Sequence, residues 1–186
     1  MKDNRTAYVI LGMLSIAPKG SGYELHKAIE ENFGSFWGES YGQIYPTLKR
    51  LAAEGLIEPI KAADEPKKRR QEYALTEAGR SNLREWLAQP FKNDPPRNEF
   101  MLKLFFGREA APGVSIAHVR ELQERNRRTI AMLEGIESMA RAYQSTNPNM
   151  PYWMLTLRLG VTMTRAAIEW GELALAELTK LEAGQG

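Results

Sequence analysis

The chain contains no cysteine in its 186 residues. Disulfides, thiolate metal sites and a cysteine nucleophile are therefore excluded. Long apolar runs are missing too. The run from Ala7 to Leu14 is too short to span a bilayer. Lys2 and Arg5 precede it, but Asp3 dilutes that positive region, and the run reads as a first core helix rather than a signal peptide. Charge is nearly balanced at a net +2, and residues 1–90 and 91–186 each carry +1. Any affinity for nucleic acid must then come from local clustering, not bulk charge. Histidine is scarce, with His26 and His118 far apart. No glycine-rich phosphate loop, metal-ligand cluster or nucleophile elbow occurs, and the carboxylates are scattered beside Lys or Arg, as on solvated helix faces. No enzyme activity, metal, cofactor or membrane partner is expected. The content of 43% hydrophobic and 26% charged residues suits a soluble folded protein, and the lack of cysteine fits a cytoplasmic one.

Helical periodicity and stop signals order the first half. A first helix is expected from about Thr6 to Ile16, ended by Pro18 and Gly20. A second starts at SGYE, where Ser21 and Glu24 have capping-box spacing, and stops at Gly34. A Gly- and aromatic-rich turn, SFWGES, follows. The third helix starts at SYGQ with Ser40 and Gln43 as a second box and stops at Gly55. LIEPI (56–60) and YAL (73–75) are β-compatible, and the polar KAADEPKKRRQE between them reads as a loop. Thr76 is the expected N-cap of a fourth helix, EAGRSNLREWLAQ.

Three helices followed by a two-strand hairpin is the order of a winged helix-turn-helix, whose third helix enters the major groove. Along that helix Ile44, Leu48 and Leu51 form an apolar row, while Gln43, Thr47, Lys49 and Arg50 are expected to face outward. The expected wing tip, Lys67, Lys68, Arg69 and Arg70, is the densest positive run in the chain. Such cations neutralise phosphates and release counterions, and Gln and Arg read base edges. Each feature alone has an ordinary explanation as a solvated loop or helix face. Their order carries the argument for DNA.

YELHKAIEENFGSFWGESYGQIYPTLKRLAAEGLIE and RRQEYALTEAGRSNLREWL closely resemble the PadR family of bacterial transcriptional regulators. The G-x-I-Y-P-x-L-x-R-L-x-x-x-G-L-I and Y-x-L-T-x-A-G patterns carry the resemblance, across nearly all of residues 8–88. FMLKLFFG, after a Pro-Pro linker, resembles the longer members with a virulence-activator-type C-terminal helical domain. At the wing, where a Gly-Arg-Pro-Arg-like sequence is frequent in the family, this chain has Glu65-Pro66-Lys67-Lys68. The resemblance implies that Tyr45 and Pro46 lie where the third helix approaches the DNA backbone. Tyr45 is expected to donate a hydrogen bond to a phosphate, Pro46 to fix the angle of the first turn, and Ser40 to be a further DNA-binding residue. A helix-interior proline usually costs about 3 kcal/mol, less near a helix start, where backbone groups are already unpaired.

QPFKNDPPRN (89–98) is the clearest break. The expected organisation is a DNA-binding domain over 1–89, a linker over 90–98 and a C-terminal α-helical domain over 99–186. The fold class is therefore mainly α with a small β-hairpin. Beyond the linker, short helix 100–107 and long helices 115–145 and 152–183 are expected. The last helix is apolar on more than one side. Leu155, Leu159, Met163, Trp170, Leu173, Leu178 and Leu181 are expected at a homodimer interface, the arrangement that reads a palindromic operator in double-stranded DNA. Trp153, Met154 and Arg158 are candidate lining for a small aromatic or hydrophobic effector, which the resemblance implies. The resulting expectation is a homodimeric repressor released by an effector. An activator of the same fold, or a helical adaptor that has lost DNA binding, are the alternatives.

Overall fold

A computed structural model of the protein describes residues 5–33, 40–60, 70–92, 98–142 and 147–184. The chain divides into two compact units, Met1–Asp94 and Pro95–Gly186. The first contains α1 (Arg5–Ile16), β1 (Gly20–Ser21), α2 (Gly22–Phe33), α3 (Tyr41–Ala53), β2 (Ile57–Pro59), β3 (Glu72–Leu75) and α4 (Glu77–Leu87). Ile10, Leu11 and Leu14 of α1 meet Leu25 and Ile29 of α2, Ile44, Leu48 and Leu51 of α3, and Leu83 of α4 in one core. Tyr8 stacks on Trp86 with ring centroids 4.4 Å apart, fastening α1 to α4.

The small sheet is antiparallel, in the order β1-β3-β2. Ile57 pairs with Leu75 and Pro59 with Tyr73, while Gly20 pairs with that same Tyr73 from the other side. The hairpin expected from the sequence thus gains a third strand. Two residues are too few to show alternation, so β1 leaves no periodic signal.

Local chemistry sets the helix ends. Ser21 caps α2: its N–H (2.9 Å) and hydroxyl (2.8 Å) donate to Glu24 Oε2, and the Glu24 N–H donates back to Ser21 Oγ. At the end of α3, Gly55 adopts φ 69°. This left-handed turn lets the Leu56 N–H donate to the Leu51 carbonyl (2.9 Å) and the Gly55 N–H to that of Ala52 (3.1 Å), the paired bonds of a Schellman stop. Thr76 caps α4 by accepting from the Gly79 N–H at 3.0 Å. Its hydroxyl also reaches the carbonyls of Gly55 (2.8 Å) and Leu56 (2.9 Å). The same residue therefore starts α4 and ties it to the stop of α3. The approach is so close that a Cβ on Gly79 would lie 2.0 Å from the Leu56 oxygen, which accounts physically for the glycine of the T-x-A-G stretch.

The second unit contains α5 (Glu99–Phe105), a 3₁₀ turn (Gly107–Glu109), α6 (Val114–Ala142) and α7 (Met150–Ala183). Asn98 caps α5 by accepting from the Met101 N–H (3.1 Å). Helices α6 and α7 run antiparallel. Near one end Glu182 Oε1 accepts from the Gly113 N–H (2.7 Å), midway Gln123 Nε2 donates to the Ile168 carbonyl (3.2 Å), and near the other end Arg158 pairs with Glu137 (3.7 Å). Val119, Leu133 and Val161 are buried, as are Gln123 and Gly171. α7 begins two residues earlier than expected, with Pro151 in its first turn, where its missing N–H costs nothing. The ends expected at Gly34 and near residue 145 lie outside the described residues, as do most of the SFWGES turn and most of the Pro-Pro stretch.

Two glycine substitutions separate these effects. Gly79→Ala should destabilise the protein by at least about 3 kcal/mol, because a backbone oxygen has no room to yield. Gly12→Ala, with nothing within 4 Å of the added carbon, should stabilise by about 0.5–1 kcal/mol through helix propensity. Thermal unfolding followed by circular dichroism reads both. A neutral Gly79→Ala would refute the close approach.

Candidate nucleic-acid interface

The site is built on α3, and burial of its apolar stripe decides what faces out. Ile44, Leu48 and Leu51 are turned fully inward, and Thr47 goes with them at 4% exposure. This corrects the sequence expectation for Thr47. Its hydroxyl is satisfied inside the helix, donating to the Gln43 carbonyl at 2.7 Å, so burial leaves no polar group unpaired. The outward face is made instead by Tyr45, Pro46, Lys49 and Arg50, all exposed, with Ser40 and Gln43 at the helix start.

Gln43 is exposed but occupied. Its Oε1 accepts from the Ser40 N–H (3.2 Å) and the Ser40 hydroxyl (3.1 Å). The Gln43 N–H donates to the Ser40 carbonyl (2.9 Å). Pro46 is the sixth residue of α3 and sits in the middle of the outward face. The Gly42 carbonyl that it deprives of a donor belongs to an exposed residue rather than to the buried stripe.

Tyr45 is 46% exposed. Its ring lies so close to Gly22, at the start of α2, that a Cβ there would come within 2.8 Å of Tyr45 Cε1. Two further tyrosines, not foreseen from the sequence, share this surface: Tyr41, the first residue of α3, and Tyr23, in the first turn of α2, are 44% and 40% exposed. Tyr41 stacks face to face on the buried His26 at 3.7 Å. Tyr23 and Tyr45 flank it with centroids 6.5 and 6.4 Å away and planes within about 20° of parallel. The signal available was the i, i+4 spacing of Tyr41 and Tyr45, with Tyr23 inside the SGYE cap.

Of the expected basic wing tip, Lys67, Lys68 and Arg69 lie outside the described residues. Arg70 is described, and it sits at the root of the wing rather than the tip. Its guanidinium lies 3.9 Å from the centre of the Tyr23 ring. Nearby, Lys19 Nζ pairs with Glu72 Oε2 at 2.7 Å. The Ser21 N–H, and next the Ser21 hydroxyl, hold the Glu24 carboxyl below its ordinary value, with smaller attractions from Lys19 and Arg70 and an opposing effect of burial.

In the second unit Leu155, Leu159, Met163, Leu173 and Leu181 of α7 are each about three-fifths exposed, Trp170 is 40% exposed, and Leu178 is half-buried. Trp170 also meets Phe100 of α5 edge to face (5.8 Å). Of the three effector candidates, Met154 and Arg158 line one shallow, open depression of about 660 Å³ with Asn147, Pro148, Met150, Pro151 and Leu155, whereas Trp153 does not. Among the described residues no helix is long and apolar enough to cross a membrane, and no cluster of His, Cys, Asp or Glu is placed to hold a metal.

A core of α1 to α4 with a small three-stranded sheet, presenting a tyrosine- and cation-bearing face of its third helix, is the arrangement of a winged-helix DNA-binding regulator. Residues 10–85 match the PadR-like family of transcriptional regulators, and residues 96–179 match the C-terminal region of virulence activator alpha. The negative transcriptional regulator PadR of Bacillus subtilis is 29% identical over 181 residues, spanning 93% of this chain and 97% of that protein. The crystal structure of B. subtilis PadR in complex with operator DNA superposes with a TM-score of 0.84 at 27% identity, over 96% of this chain and 98% of that one. The same protein with p-coumaric acid gives a TM-score of 0.74 at 26% identity over the same shares. The Vibrio cholerae virulence activator AphA gives 0.75 at 29% identity, over 95% of this chain and 99% of that one. These relatives are regulators rather than enzymes.

The Glu24 cap carries a pH signature. A carboxyl held below its ordinary value contributes stability that is full above the usual carboxylate range and is lost as pH falls through the lowered value. Glu24→Gln should therefore be less stable than the parent at neutral pH, with the gap closing below about pH 4. Urea unfolding across pH checks it, and a gap that widened on acidification would contradict the cap.

Proposed function

We propose that the chain is a homodimeric transcriptional repressor that reads a palindromic operator with α3 and the wing, and that a small aromatic effector releases it. The observation carrying this reading is the outward face of α3. Tyr45, Pro46, Lys49 and Arg50 stand clear of the core on a helix whose inner stripe is fully committed to packing. Tyr45 donates to a phosphate, Lys49 and Arg50 supply positive charge, and Ser40 and Gln43 lie at the rim. Lys67, Lys68 and Arg69 extend the contact along the backbone. Residues 1–89 then form the DNA-binding domain and residues 99–186 the dimerisation and effector domain, acting in the cytoplasm. Similarity to B. subtilis PadR, a negative regulator, supports repression. Similarity to AphA supports activation as the second reading, and operator position relative to the promoter decides between them.

The apolar stripe of α7 supports self-association. Five leucine and methionine side chains are left about three-fifths exposed on one helix, and burial stabilises each by about 1.5–3 kcal/mol when complete. For the effector, Met154 and Arg158 offer an apolar wall and a cation, which suit an amphipathic aromatic acid.

Two experiments test this reading. Binding to duplex from the protein's own upstream region, with random duplex as control, should be site-selective and should weaken steeply with salt. Tyr45→Phe should lower that affinity about tenfold, the worth of one hydrogen bond to a charged group. An unchanged affinity removes the phosphate role. In sedimentation the parent should be a dimer and Leu159→Glu a folded monomer, and a monomeric parent at micromolar concentration would sink the dimer.

A further inference from the structure

Arg70 belongs by sequence to the basic run of the wing, yet its geometry differs from that of a phosphate ligand at a loop tip. It stands two residues before β3, at the point where the chain returns to the sheet. Its guanidinium lies 3.9 Å from the centre of the Tyr23 ring. Tyr23 is one turn from His26 on α2, and His26 stacks at 3.7 Å on Tyr41, the first residue of α3. Tyr23 also lies nearly parallel to Tyr41 at 6.5 Å. A continuous row of flat groups therefore runs from the wing root, over the start of α2, to the start of α3. The Lys19–Glu72 pair closes the same corner from the β1 side, and Ser21 locks the start of α2 by capping it through Glu24.

We infer that Arg70 is a positioning residue, whose guanidinium stacked on Tyr23 fixes the wing root relative to the first turn of α3. This rests on the DNA-binding reading above and deepens it. A phosphate ligand needs charge and reach, and Lys serves as well as Arg. A stacked brace needs a planar cation, and a Lys ammonium does not replace it. The two roles therefore diverge under conservative substitution. They also diverge in salt. Removing a phosphate contact lowers the salt slope by about 0.9, whereas loosening a brace lowers affinity at constant slope.

The test uses the full-length chain and the best duplex recovered from a random-sequence library. Arg70→Lys and Arg70→Gln should each weaken binding about three- to fivefold, the range of an exposed cation–π contact, with slopes equal to the parent's. Tyr23→Leu should match them, Tyr23→Phe should bind like the parent because it keeps the ring, and the Arg70→Gln, Tyr23→Leu double variant should be no weaker than either single one. If Arg70→Lys restores parental affinity while Arg70→Gln lowers the slope by about one contact, Arg70 is a phosphate ligand and the inference is overturned. Parental binding by Tyr23→Leu overturns it equally. If the library yields no preferred duplex, the DNA reading itself fails, and the brace is judged by thermal unfolding of the same five variants. Non-additive losses for the Arg70–Tyr23 pair support it, and additive losses overturn it.

Discussion

The seating of α3 is the constraint on which the rest depends. Ile44, Leu48 and Leu51 are at most 1% exposed, so the rotation of this helix about its axis is set by packing. Once it is set, residues 45, 46 and 49 must face away, whatever their chemistry. Three local devices hold that rotation. The Ser40–Gln43 bonds close the start, the left-handed Gly55 closes the end, and Thr76 grips the carbonyls just beyond Gly55 from the cap of α4. A winged helix needs this rigidity because base-edge contacts tolerate little angular error.

The proline in α3 makes sense in this frame. At position 46 it lies at the centre of the outward face, opposite the buried stripe. A proline on the inner face would strip a donor from a carbonyl that no water reaches, with a penalty of a few kcal/mol. On the outer face the unsatisfied Gly42 carbonyl belongs to an exposed residue. Gly42 itself has no side chain to collide with the pyrrolidine ring. The Gly-x-x-x-Pro spacing thus lets the outward face carry a rigid, donor-free patch at little cost.

Local chemistry was legible in the sequence where one residue determines the outcome. Caps at Ser21, Ser40 and Thr76 and the stop at Gly55 follow from side-chain groups that satisfy nearby backbone, and each helix boundary that is described lies within about two residues of its expected place. Reading failed where tertiary structure decides. β1 exists only because β3 offers it an edge, and Gly20 and Ser21 contain no pattern of their own. Thr47 reads as a surface residue because threonine is polar. It is buried because a helix lets its hydroxyl bond the carbonyl four residues back. The tyrosine row has no continuous sequence signal, because Tyr23 and Tyr41 are neighbours only after α2 and α3 pack. The wing tip, where Lys67 to Arg69 fall, lies outside the described residues.

On the proposed reading, the two units divide the work of recognition in a way the charge balance explains. A net charge of +2 over the whole chain gives one copy little sequence-independent attraction to DNA. The densest positive run in the sequence is Lys67 to Arg70, and α3 adds Lys49 and Arg50. A single such module makes few phosphate contacts, and each contact is weakened as salt rises. On the proposed dimeric reading, pairing two copies through the α7 stripe would turn the second binding event into an intramolecular one, so affinity would rise by the effective concentration without any added charge. Such pairing would also confer selectivity, since only a site with two correctly spaced half-sites engages both modules. The exposed apolar stripe on α7 and the near-neutral charge are therefore complementary. A chain with strong bulk positive charge would bind DNA as a monomer and lose the spacing test, whereas the proposed dimer would gain its affinity from the partner that the second unit supplies.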